Sequence, residues 1–186
     1  MRANRLAIFA LIGLGAMAMT GCYDGNSTAD TEAPVFLSEQ VQPGPADVNV
    51  ATGSDVTIES LIISSHAKSP SATLSAQQDV QLTNWVITPI RTDGGTVASP
   101  QWQNFYSVYV PAGGSTTLAN YRIFPAEYFL QAPLYQLFPA NGGYDKETNN
   151  TNIRQRLHIE VFGKTVAGKA VSLVFDVNLN FFYVAP

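Results

Sequence analysis

The fold class this sequence predicts is all-β: an antiparallel sandwich of two sheets with about seven strands and one long loop rich in aromatics and proline. Three observations predict it. The C-terminal stretch alternates apolar and polar side chains with period two, the pattern of strands buried on one face. Clusters of Gly, Pro, Asn and Asp punctuate the apolar runs before it. Only 13% of the residues are charged, and the chain holds ten Phe and eight Tyr, a composition that suits strands better than helices.

The first element is not part of that domain. Arg2 and Arg5 precede an uncharged apolar stretch, Leu6 to Met19, that closes in small residues, the layout of a signal peptide over residues 1–21. At fourteen residues the stretch is shorter than the ~20 a membrane-spanning helix requires, and the chain turns polar directly after it. Met19-Thr20-Gly21-Cys22 resembles the lipobox of bacterial lipoproteins, a large apolar residue and two small ones before a cysteine. That resemblance implies cleavage before Cys22 and a thioether-linked diacylglycerol on its sulfur, with a further acyl chain on the freed amine. Each buried methylene contributes ~0.8 kcal/mol, and stable anchoring takes two chains, so an acylated Cys22 would hold the protein at a membrane without spanning it. Cys22 is the only cysteine, which excludes an internal disulfide. In many Gram-negative lipoproteins an aspartate directly after the cysteine retains the protein at the inner membrane. Tyr23 stands there instead, and the resemblance then points to the outer membrane.

Removal of residues 1–21 takes away two arginines and no acid, moving the formal net charge from −4 to −6. With so few cations and no basic stripe, counterion release from nucleic acid cannot drive binding. The remaining 165 residues suit one domain that folds without disulfides or metal.

From Cys22 the chain reads as a tether through about residue 45. Tyr23–Ala33 carries one aromatic and no other large apolar side chain, too little to pack a core. Val35-Phe36-Leu37, ahead of Pro43-Gly44-Pro45, leaves two arrangements open: continued tether, or a short edge strand docked on the domain. The domain proper is expected over 46–186. Strands are predicted at Ser54–Ser64, Val80–Arg91, Gln103–Val110 and Ser115–Phe124, each bounded by turn residues such as Thr92-Asp93-Gly94-Gly95 and Pro111-Ala112-Gly113-Gly114. The last two strands form a hairpin. Leu157, Ile159 and Val161 alternate with Arg156, His158 and Glu160. After a turn at Thr165–Gly168, Val171 through Tyr183 alternate without a break. So long a strand is expected to bend, bulge or cross between sheets. One turn of helix is predicted at Ala126–Gln131, between Pro125 and Pro133. In pattern the domain resembles the immunoglobulin-like and fibronectin type III domains of envelope proteins, although the cysteine pair of antibody domains is absent.

Catalytic and metal chemistry find no foothold. His66 and His158 are far apart in sequence, and no paired-cysteine or His-x-x-x-His spacing exists. The most oxygen-rich stretch, Asp145-Lys146-Glu147-Thr148-Asn149-Asn150, carries a lysine where a calcium loop needs an oxygen, and reads as a solvated turn. No serine lies in Gly-x-Ser-x-Gly. His158 lies between Arg156 and Glu160 on a polar strand face, where cross-strand pairing with Asp176 or Asn178 accounts for it. No cofactor is expected, and no enzyme activity.

One segment asks for a partner. Tyr121–Tyr144 contains seven Tyr and Phe residues interrupted by Pro125, Pro133 and Pro139. Two arrangements are open: the rings fold inward to cap the sandwich, or they form an exposed surface for a protein or sugar. The candidate binding residues are Tyr128, Phe129, Tyr135, Phe138 and Tyr144, joined by Trp102 on the neighbouring strand. Phe105, Tyr106 and Tyr109 can extend the same surface. The functional expectation is a non-catalytic lipoprotein held at the outer membrane that binds another envelope protein as an accessory or assembly subunit. The alternative is a carbohydrate-binding module that stacks sugars on these rings.

Overall fold

The computed structural model describes residues 32–42 and 47–185. The expected signal peptide, the lipobox with Cys22, most of the tether before Glu32 and the Pro43-Gly44-Pro45 turn lie outside the described residues. Two sheets pack face to face. Three strands make the first, in the order β1 (Val35–Gln42), β3 (Val56–Ala67), β7 (Ser115–Phe124). The second runs β2 (Asp47–Asn49), β9 (Ala170–Phe182), β8 (Asn152–Thr165), β4 (Val80–Arg91), with β5 (Trp102–Asn104) and β6 (Val108–Val110) sharing the far side of β4. Neighbours are antiparallel except β2, which runs parallel to β9. The two open sheets packed against each other make an all-β sandwich.

The nine strands among the described residues exceed the expected number because short ones escape a period-two reading. Of the two arrangements open at Val35–Leu37, the docked strand is the one found. Val35 and Leu37 are fully buried, and β1 pairs with β3 from Val35 against Ala67 to Gln42 against Ser60. The folded unit therefore takes in residues ahead of position 46. β1 and β2 lie on successive stretches of chain but in different sheets, so the chain changes sheets between Gln42 and Asp47.

The C-terminal hairpin forms as the alternation predicts. Val171, Leu173, Phe175, Val177, Leu179 and Phe181 are buried, while Asp176 and Asn178 face solvent. β8 and β9 keep one register throughout, from Asn152 against Phe182 to Lys164 against Ala170. The expected bulge is not in this strand. It lies next door, where the β4–β8 register shifts between Leu82 and Asn84 and leaves Thr83 extra. Gly163 is what lets the backbones meet there: a Cβ would overlap the Gln81 carbonyl oxygen and sit 2.8 Å from Leu82 Cα.

At the centre Trp85 is fully buried on a strand covered on both sides. Its ring lies 4.6 Å from that of Tyr121 across the sheets, and its Nε1 donates to the Tyr106 carbonyl at 2.9 Å, so the indole N–H is satisfied inside the core.

Candidate functional site

Pro125, Pro133 and Pro139 each stop regular structure, and the chain between them winds into short 3-10 turns: Ala126–Leu130, Leu134–Leu137 and Pro139–Asn141. The first falls where a turn of helix was predicted. These turns bring aromatic and aliphatic side chains over the open end of the sandwich. Phe129 is 1% exposed, stacks on Phe124 at 5.8 Å and meets the edge of Phe181 at 6.2 Å. Leu134 and Leu137 are buried beside them, and Phe138 packs on Tyr183 at 5.5 Å. Capping is thus the main work of the segment.

The six candidate residues are accordingly divided. Phe129 is buried, as is Trp102, which sits on the inner face of β5 with its Nε1 donating to the Ile123 carbonyl at 3.2 Å and the Arg122 guanidinium 5.4 Å over its ring. Neither offers a ring to solvent. Tyr128, Tyr135 and Phe138 are half-buried, and Tyr144 is exposed. The most exposed apolar side chain of this end was not among them: Leu130, 74% exposed. It stands over a shallow groove floored by Phe129 and walled by Ala51, Gly53, Glu127 and Phe138. Period-two or helical reading gives no hint of Leu130, because a 3-10 turn between two prolines has neither period.

Behind this end lies a buried ion cluster: 145–150 is a turn with Lys146, Glu147, Asn149 and Asn150 exposed, as expected, but its first residue is anchored inside the domain. Asp145 is fully buried. Arg91, at the end of β4, donates through Nε to Asp93 at 2.7 Å and through Nη2 to Asp145 at 2.7 Å, with side chains of all three at most 2% exposed. Its Nη1 donates to the Val97 carbonyl at 3.0 Å and lies 3.5 Å from Glu147. Glu147 in turn accepts the backbone N–H groups of Thr96 at 2.8 Å and Val97 at 3.0 Å. Burial pushes the Asp145 carboxyl up, but the Thr148 hydroxyl, Arg91 and the Glu147 amide outweigh it and the net is downward. Burial likewise opposes ionisation of Asp93, and is outweighed by Arg91 and the Arg154 and Gly95 amides. Glu147 is lowered chiefly by the Thr96 hydroxyl and the two amides. Gln155, also fully buried, holds the same loop by exchanging hydrogen bonds with Ser99. These carboxylates, held by one guanidinium, the Thr96 and Thr148 hydroxyls and backbone donors, act as latches on loops. Among the described residues no three His, Cys, Asp or Glu side chains are grouped to hold a metal ion.

His158 is opposite Asp176 in the ladder, with Nδ1 2.8 Å from its carboxylate, the cross-strand pairing expected. Arg156 reaches the same carboxylate at 3.5 Å. His66 lies in the other sheet, stacked on Phe36 at 5.0 Å.

The rings that do face solvent cluster elsewhere. Phe105 is 76% exposed, and Tyr106, Tyr109 and Phe162 are exposed as well, all near the far end of the six-stranded sheet. The predicted single strand Gln103–Val110 is broken there: β4 pairs with β5 and with β6, but Phe105-Tyr106-Ser107 pair with nothing in the ladder.

Comparison with known proteins yields no match: no family model, no curated protein and no solved structure.

Proposed function

We propose that the protein is a non-catalytic lipoprotein, anchored through acyl chains on Cys22 at the outer membrane, that docks another envelope protein as an accessory or assembly subunit. The groove beneath Leu130 carries the reading. Leu130, held three-quarters in water, adjoins a groove lined by Val50, Ala51, Phe129 and Phe138, and the two together offer a partner a contiguous apolar contact. Its position supports the same reading. Glu32, the first described residue, pairs with Lys169 at 3.1 Å, at the β8–β9 turn, whereas the groove lies at the opposite end, where β9 finishes at Phe181. A chain tethered at Cys22 would thus present the groove away from the lipid. The residues between Cys22 and Glu32 would reach about 30 Å if extended, enough to clear a headgroup layer.

A crosslinked pull-down from intact envelopes tests this, with wild type compared against a variant carrying Leu130→Ser and Glu127→Lys, both on exposed positions. The reading expects one protein that crosslinks to wild type and is lost from the variant. An identical set from both baits would contradict it. Cys22→Ser should separately release the protein from the membrane fraction.

A further inference from the structure

Along the far edge of the six-stranded sheet, Trp102, Val108 and Val110 are buried, whereas Gln103 and Tyr109 face out and the unpaired Phe105, Tyr106 and Ser107 are all exposed. The ladder sets Tyr109 beside Gln81 and Gln81 beside Lys164, and sets Asn84 beside Phe162. One end of the outer face therefore carries the rings of Phe105, Tyr109 and Phe162 around the amides of Gln81, Asn84 and Gln103. The bulge at Thr83 opens a cleft among them, lined by Gln81, Thr83, Phe162, Gly163 and Lys164.

We infer that this face is a binding site for a short neutral oligosaccharide. A pyranose has an apolar C–H face and a rim of hydroxyls that both donate and accept. Exposed rings suit the face, and carboxamides, with one donor and one acceptor end each, suit the rim. The amides are half committed and so held in place. Gln81 Nε2 donates to the Ser107 hydroxyl at 2.5 Å, and Gln103 Nε2 donates to Asn84 Oδ1 at 2.7 Å. The Gln81 carbonyl oxygen, the Asn84 NH2 and the Gln103 carbonyl oxygen have no partner among the described residues. Tyr109 is fixed as well, its hydroxyl donating to Asp79, whose other oxygen takes the Ala112 N–H at 2.8 Å. Phe162 lies on β8, and Phe105 lies in the unpaired stretch on the opposite side of β4, so exposed rings stand on both sides of the amides of β4. Lys164 is the one full charge in the cleft, too little for an anion site, and the amides between the rings argue against a peptide's apolar side chains.

The site is separate from the groove at Leu130, and the two can be tested apart. Full-length protein in a sugar-free detergent would be titrated calorimetrically with cellotriose, chitotriose, maltotriose and mannotriose. Saturable binding of at least one is expected, weakened about tenfold or more by Phe105→Ala and by Phe162→Ala. Phe162→Trp should retain it, and Leu130→Ser should leave it unchanged. Absence of saturable binding to all of these sugars overturns the inference. So does binding that survives the two alanine substitutions together.

Discussion

Two aromatic regions of this domain, 121–144 and 102–109 with Phe162, read alike in sequence and behave in opposite ways. In the first, Phe124, Phe129, Leu134 and Leu137 turn inward and close one end of the sandwich. In the second, Phe105, Tyr109 and Phe162 stand in water. What separates them is the local backbone. A strand keeps period two, so a neighbour's burial determines a ring's direction: with Val108 and Val110 inside, Tyr109 is outside. Turns broken by prolines keep no such period, and there each ring goes wherever apolar surface remains uncovered. Aromatic density says nothing of exposure unless the backbone period is known.

That contrast predicts unequal costs of removing a ring. Phe129→Ala takes a fully packed ring out of the end cap and should cost about 3–5 kcal/mol, read as a shift in the urea midpoint. Phe105→Ala should move stability by no more than about 0.5 kcal/mol. Equal effects of the two would show that the first region is not a cap.

The cap also depends on the ion cluster behind it. Asp145→Ala leaves Arg91 buried with one carboxylate fewer and should cost about 3–5 kcal/mol, comparable to loss of Phe129. The same cluster gives the end a pH dependence. Asp93, Asp145 and Glu147 are held below their ordinary 3.8, 3.8 and 4.5. Their contribution is complete above those values and is lost as pH falls through the lower folded ones. Thermal unfolding from pH 6 to pH 2 should thus show wild type losing stability mainly below about pH 4. Asp145→Asn should be less stable at neutral pH and show a shallower acid limb. Parallel curves for the two proteins would remove the cluster from the account.

A smaller effect sharpens the comparison at the other end. Gly163→Ala forces β8 away from the Gln81 carbonyl and should cost about 1–3 kcal/mol. Because the displaced backbone lines the cleft beside Phe162, it should also change the tyrosine fluorescence of that face, where Tyr109 stands beside Gln81. No such change is expected from Phe105→Ala.

The alternation of Val171 to Phe181 made the terminal hairpin readable, and with it the pairing of His158 with Asp176. The same reading placed Phe105, Tyr106 and Tyr109 on one continuous strand, Gln103–Val110, without assigning each ring a face. It missed the break at Phe105–Ser107, where three consecutive residues are exposed, because no glycine or proline marks it in the sequence. The ion cluster was hidden for a different reason. Arg91 and Asp93 sit at a strand end with turn residues after them, Asp145 lies more than fifty positions on, and nothing local marks those charges as partners. Gln155 shows how a buried polar group could have been suspected: it holds an inward register position beside Ile153 and Leu157. Leu130 had no such marker, since its exposure follows from how three 3-10 turns pack on β9.

Site-specific photo-crosslinking in intact cells tests the central claim most directly, with a benzophenone side chain at position 130 and, as a second site, at position 117 on the edge of the three-stranded sheet. A discrete protein adduct from position 130, absent from position 117 and lost with Glu127→Lys, is the expected result. No adduct at position 130, or the same adduct from both positions, would contradict docking through this end of the sandwich.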